Sequence, residues 1–409
     1  MGIRENKVLP VLAMSVLFYS SQPYAFTRPL DKTLTIEEPQ NLEQMYETRQ
    51  IADKIWNQLT NEFIKHYENG DYAQASSTAR TALKIAMDNF GPDHVNTADS
   101  LLKMGIVSES LGDFENAKKH MKQSLSILKA KLGTYHEDVA IVLTNIANVY
   151  FEQNQPDLSE KFHKQALDIR QRTLGDSDPA VAQSMYNLAV LYDDLTKYDA
   201  AIPLYENAVQ IWNAHYGAVH PYVANALNNL ANVYLAVENY ADAIELHKHS
   251  LSIRRSLYGD EHAEVARALI NLGALYVKQN AYEKAKPLYI EAVSVAEKLF
   301  GPKHPQVAML LYSLANIYHI QGRIAKAETD TGTKKMGAKP KNGTLSKSAK
   351  NNFEQAVPLY ERALEILDGS IGENHPAVTA MLNELALLYK SIGNRAKAEQ
   401  MQARLSSTH

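Results

Sequence analysis

The sequence predicts an all-α fold: a right-handed superhelical solenoid of about eight helix-turn-helix repeats. Three observations carry this. A large apolar residue followed by glycine recurs as Phe90-Gly91, Leu132-Gly133, Leu174-Gly175, Tyr216-Gly217, Tyr258-Gly259 and Phe300-Gly301, always 42 residues apart. A tyrosine ladder (Tyr150, Tyr192, Tyr234, Tyr276, Tyr318, Tyr389) and a small-residue ladder (Ala75, Ala117, Ala201, Ala243, Ala285, Ala356, with Ser159 as the exception) keep the same register. Within each period, apolar residues recur at helical spacing along two stretches. A lone hairpin of this kind leaves apolar faces bare, and stacking on copies of itself covers them.

Taken in order, the chain opens with Arg4 and Lys7 ahead of the apolar run Val8–Tyr19. That run fits a secretory signal and is too short for an ordinary membrane span. Cleavage is expected near Ala25, giving an exported protein of a bacterial periplasm or the medium; the alternative is an N-terminal membrane anchor. No stable membrane insertion is expected after cleavage. Residues 26–48 read as a polar linker containing Pro29 and Pro39. The solenoid is expected over 49–409, although the stretch from Asn41 to His66 already carries the irregular first hairpin. Later hairpins start near 91, 133, 175, 217, 259, 301 and 372.

The stretch Val223–Ile253 shows the unit best. Val223, Leu227, Leu230, Ala231 and Tyr234 share one face of a first helix, with Asn225, Asn228, Asn229 and Asn232 opposite. A turn falls at Glu238–Asn239. Tyr240, Ala243, Ile244, Leu251 and Ile253 stripe the second helix. Glycine then ends that helix in a conformation that L side chains disfavour. His94, His136, Asp178, His220, His262, His304 and His375 follow three residues later, four of them just before a proline. Proline favours the first helical position, so the His or Asp sits at the N-cap.

The seventh glycine, Gly372, comes 71 residues after Gly301, so 29 residues are inserted. Gly322–Ala327 starts a second helix and Phe353–Ala356 starts it again. The intervening 328–352 holds six lysines, two acids and no aromatic residue. It is expected to be disordered or a mobile loop. A plain surface loop is the favoured reading, with a basic arm for an anionic partner or membrane as the other. The last helix, from Asn394 to Leu405, is short and polar, as suits a terminal cap.

A net charge of −4 and a pI near 6.4 give no basic excess to suggest nucleic acid. The absence of cysteine excludes disulfides, thiolate metal sites and a lipoprotein anchor. Six of the 14 histidines form the capping ladder. Stacked hairpins lie roughly 10 Å apart, whereas a zinc ion needs all its ligands within about 2 Å, so the ladder cannot be one metal site. His247 and His249 do not face each other on a helix. Asp193-Asp194 reads as a solvated turn. No nucleophile elbow, phosphate loop or dinucleotide fingerprint occurs. Catalytic residues, cofactors and metals are therefore not expected.

The pattern N-L-A-x-x-Y, Y-x-x-A and S-L, with G-x-x-H-P-x-V-A opening a 42-residue unit, resembles the tetratricopeptide repeat in the long variant of kinesin light chains. No long heptad region precedes the repeats, so pairing with a motor heavy chain is not implied. The resemblance implies that first helices line a concave groove where asparagines grip an extended peptide. Carried over position by position, these are Asn145, Asn187, Asn229 and Asn271 in one slot, and Asn148, Asn232 and Asn316 in another. Lys103, Ser313 and Glu384 break the first slot; Ile106, Val190, Ala274 and Leu387 break the second. The alternative for the first slot is hydrogen bonding to a neighbouring unit's loop.

By helical spacing, Asn225, Asn228, Tyr186, Arg267, Tyr312 and His319 fall on or beside the same face and could set specificity. Arg170 and Arg254 occupy equivalent slots on second helices and could receive carboxylates. The expected function is a non-catalytic scaffold binding a segment of a protein or peptide partner. The rivals are an enzyme on an α/α scaffold, such as a glycan hydrolase, and a structural spacer.

Overall fold

The computed structural model describes residues 42–335, 345–372 and 375–407. The expected signal and its cleavage junction lie outside them. Sixteen α-helices and no strand occur among the described residues, in two compact units that divide after Ala218.

The first unit holds α1 (Leu42–Glu68), α2 (Tyr72–Phe90), α3 (Val95–Ser110), α4 (Phe114–Leu132), α5 (Glu137–Glu152), α6 (Pro156–Leu174), α7 (Pro179–Asp194) and α8 (Tyr198–Tyr216). The second holds α9 (Pro221–Ala236), α10 (Tyr240–Tyr258), α11 (Ala263–Lys278), α12 (Tyr282–Phe300), α13 (Pro305–Lys335), α14 (Lys347–Ile371), α15 (Pro376–Ser391) and α16 (Arg395–Ser407). Helix α1 begins at Leu42, inside the stretch read as linker.

The helix starts follow from the capping ladder. Nδ1 of His94, His136, His220, His262, His304 and His375 accepts the backbone N–H two residues on, at 3.1–3.2 Å. Asp178 does the same at 2.8 Å. A ring nitrogen accepts only while it carries no proton, so this cap uses an unprotonated Nδ1. The aromatic before the glycine is not core, as Tyr216 and Tyr258 are about 40% exposed. In three units it stacks on the cap instead: Phe90 on His94, Tyr258 on His262 and Phe300 on His304.

Two different backbone devices end the helices. Gly217, after α8, has φ 86° and ψ 167°. This region is open essentially to glycine alone, a stricter demand than the ordinary left-handed one. The turns inside hairpins are left-handed but tolerate side chains: Asn154, Thr196, Glu238 and Asn280 have φ between 55° and 61°.

The core lies where the two helices of a hairpin meet each other and the next hairpin. Ala75, Ala117, Ala201, Ala243, Ala285 and Ala356 are fully buried. A further small ladder, Gly105, Ala147, Ala189, Ala231, Gly273 and Ala315, faces large residues sixteen positions later in the 42-residue register: Met121, His163, Tyr205, His247 and Tyr289 follow the first five. At Gly273 a Cβ would come within 2.9 Å of the Tyr289 ring. Side chains of this size therefore fill the space that the small residues leave. The tyrosine ladder packs at the turns beneath lysines, as with Lys118 over Tyr150 and Lys397 over Tyr389.

In the second unit, ion pairs join successive second helices: Arg255 with Glu291, Glu297 with Arg362, and Asp368 with Arg404. The two slots repeat, but the first pair carries the opposite polarity to the other two.

The insertion departs from expectation. Helix α13 runs on to Lys335 and is 31 residues long, against 16 for α11. Helix α14 starts at Lys347 and has 25 residues, against 19 for α12. Most of the described part of the insert is thus helix, not loop. Ser346 caps α14 by accepting the Ala349 N–H, and Ala349 and Phe353 are fully buried. Ala325 and Leu345 pack on the same core. Gly322 makes this possible: the turn glycine is helical here, and a Cβ on it would meet the Phe353 ring at 2.4 Å. Residues 336–344 lie outside the described residues.

Candidate functional site

The polar faces of the first helices are built differently in the two units. On α9, Asn225 accepts from Arg254 Nη2 at 2.9 Å. Arg254 is 1% exposed; its Nε donates to Glu264 at 3.0 Å and its Nη1 reaches the Ala224 carbonyl. Arg267 pairs with the same Glu264 oxygen. Burial, then the Arg267 charge, lowers the Arg254 pKa. Burial would raise Glu264, but the two guanidiniums hold it below its ordinary value. The network ties α9, α10 and α11 together.

Beside it runs a chain of amides. Asn271 on α11 donates to Asn228 at 2.9 Å, and Asn228 contacts Asn229 at 3.4 Å. Asn271 thus bonds to an amide on the neighbouring hairpin, and its partner lies on a helix rather than in a loop. Asn316 on α13 accepts from the Tyr360 hydroxyl. Tyr312 packs edge-on against the Tyr360 ring, and burial raises its hydroxyl pKa. His319 Nδ1 lies 3.3 Å from Glu384.

In the first unit, Asn145 is buried and donates to its own helix at Ile141. Asn187 accepts from Gln183 at 2.8 Å. Tyr186 packs on Tyr205 and Trp212. Arg170 is 2% exposed and donates to Glu137 at 2.9 Å and Ser184 at 2.7 Å. Arg170 and Arg254 therefore do receive carboxylates, but those of this chain. The cause is simple: in this slot the second helix turns its guanidinium into the interface, where only an internal partner reaches it.

Of the candidate groove asparagines, two have no side-chain hydrogen bond to the described residues: Asn148, half-buried, and Asn232, exposed. They share one slot, 84 residues apart.

A profile of the tetratricopeptide repeat matches residues 66–130, 138–214, 192–255, 222–298, 278–329 and 346–406, well over half of the chain. The chain belongs to the tetratricopeptide repeat family. Among solved structures, the apo quorum sensor NprR of B. thuringiensis is similar over 90% of this chain and 93% of its own, at 15% identity and TM-score 0.50. A STAND-class signal-transduction ATPase of Pyrococcus horikoshii with a tetratricopeptide repeat sensor is similar over 87% of this chain and 47% of its own, at 14% identity and TM-score 0.59. A putative kinesin light chain of Podosopora anserina is similar over 56% of this chain and 96% of its own, at 21% identity and TM-score 0.44. No curated protein matches the chain in sequence.

Within this tetratricopeptide array, no group of three or more His, Asp or Glu side chains among the described residues could hold a metal. No helix among them is long and apolar enough to cross a membrane. Three further acids or pairs are withdrawn from solvent without any sign in the local pattern. Lys103, which breaks the asparagine slot on α3, pairs with Asp99 while both are buried. Glu109 is buried with Oε2 unpartnered; burial, then Glu152, pushes its carboxyl up to about 8. Asp193 is half-buried and pushed up to about 6 by burial, then Asp194, while Asp194 itself is exposed. Spacing to Arg267 and Arg254 could have flagged Glu264; nothing local could have flagged Glu109.

Proposed function

We propose that this chain is a non-catalytic scaffold that binds an extended segment of a partner protein along its first-helix faces. Membership of the tetratricopeptide repeat family supports the general reading. The observation that carries the finer one is the contrast between engaged asparagines, Asn316 of the second slot included, and open ones. Asn145, Asn187, Asn228 and Asn271 are engaged by bonds within the chain. Asn148 and Asn232 keep both donor and acceptor open, the pair of functions a peptide backbone needs. Arg267, Tyr312 and Asn316 border the face in the second unit and would tune sequence preference. The N-terminal basic and apolar run supports export, to be read from the intact mass of native protein.

The test begins with a peptide array probed by the full chain, followed by titration of the best peptide. Each neutral hydrogen bond to a ligand contributes about 0.5–1.5 kcal/mol. Asn148→Ala with Asn232→Ala should weaken binding by roughly 5- to 150-fold, with unchanged circular dichroism. Unaltered affinity in a folded double variant would place the ligand elsewhere.

A further inference from the structure

We propose that the arm formed by the extensions of α13 and α14 docks on an anionic lipid surface, independently of the first-helix faces. The insertion is a built element. Gly322 admits the Phe353 ring, Ala349 is fully buried, and Ser346 caps the returning helix. Fifteen extra residues on α13, at 1.5 Å each, carry the chain about 22 Å beyond the level where the other first helices stop.

The arm's charge is opposite to that of the rest. Its described helical extensions hold Arg323, Lys326, Lys334, Lys335, Lys347 and Lys350 against Glu328 and Asp330. That is +4 on a chain totalling −4, so the remainder carries −8. The Debye length at physiological salt is about 8 Å. The arm is longer than this, so its far end is screened from the acidic body.

The described basic side chains are also little neutralised locally. Arg323, Lys326 and Lys347 make no ion pair among the described residues, and Lys350 reaches Glu354 only at 3.7 Å. In contrast, Arg362, Lys397 and Arg404 on the solenoid each hold a carboxylate.

The side-chain chemistry selects the partner. Five of the six are lysines, compact point charges with no fixed fork for a carboxylate or base edge. No aromatic residue lies between 323 and 352 to stack on a nucleobase. Lysines clustered on a projecting element suit a diffuse negative surface, where each adds attraction without a defined pocket.

The experiment is co-sedimentation of the full chain with vesicles of phosphatidylcholine alone and with vesicles containing one third phosphatidylglycerol. Binding to neutral vesicles reports the apolar N-terminus and should be the same for every variant. The wild type should partition more strongly onto anionic vesicles, an excess that falls with added salt. Lys334→Gln, Lys335→Gln, Lys347→Gln and Lys350→Gln together should reduce that excess by up to about 1000-fold. Ser348→Lys, at an exposed site, should increase it several-fold. Equal partition of the wild type between the two vesicles overturns the proposal. So does a folded quadruple variant that binds like the wild type. Should the quadruple variant misfold, Ser348→Lys without a gain is decisive. Loss of a wild-type dimer in the quadruple variant, with no lipid effect, would assign the arm to a second copy instead.

Discussion

Single residues set limits on this repeat that sidechain packing alone does not. A Cβ at Gly217 would meet nothing within 4 Å, so replacing it tests the backbone alone. Gly217→Ala should cost about 1–3 kcal/mol, seen as a lower urea midpoint with unchanged slope. An unaltered midpoint would show that the link can relax. The buried histidines set the pH response. Burial, then the charge of Arg170 or Arg254, pushes His163 and His247 down to about 4. A base whose folded pKa is depressed stabilises the fold above its unfolded value near 6.5. That stability is lost as pH falls from about 6.5 through about 4, at about 3 kcal/mol for each group. Tyrosine occupies the same slot at Tyr205 and Tyr289, where it is buried. His163→Tyr with His247→Tyr should therefore flatten the acid limb of a stability–pH curve. An acid limb as steep as before would assign the loss to other groups.

At the scale of helices, neighbouring elements recognise each other partly through charge. Glu297 on α12 pairs with Arg362 on α14, both partly exposed. Pairs of this kind contribute up to about 1 kcal/mol. Arg362→Glu should lower the melting temperature, since it opposes like charges. Adding Glu297→Arg should recover most of the loss, because the swapped polarity already occurs in Arg255–Glu291. Absence of recovery in the double variant would mean that Arg362 acts through its stem, or through its bond to the Pro302 carbonyl.

Over the molecule as a whole, each repeat is stabilised mainly by its immediate neighbours. A defect should therefore spread in order along the array. Gly322→Ala forces a Cβ against the Phe353 ring and should open the α13–α14 hairpin first. Hydrogen exchange read by mass spectrometry should show protection falling in α13 and α14, then α15, and least in α9. A uniform loss across the second unit would indicate one cooperative block instead.

The sequence by itself determined the repeat. Its 42-residue register names the hairpins, the buried alanines, the histidine caps and the chain-closing glycines, because each is set by local backbone geometry or by a face that recurs in every unit. Only the tertiary structure decided which polar residues remain open. Asn145 and Asn148 look alike in a helical projection, yet one bonds to Ile141 and the other has no side-chain bond. Arg254 reads as a free cation until Glu264, ten residues on, is seen beside it. The insert misled for the same reason. Its composition is that of a loop, since it lacks the residues to form a core alone. Packing decided otherwise, because α13 and α14 run on from an existing core and need only Gly322, Ala325, Leu345 and Ala349 to continue it. Local pattern fixes what a helix is; its partners across the hairpin fix which of its polar groups are left for a ligand.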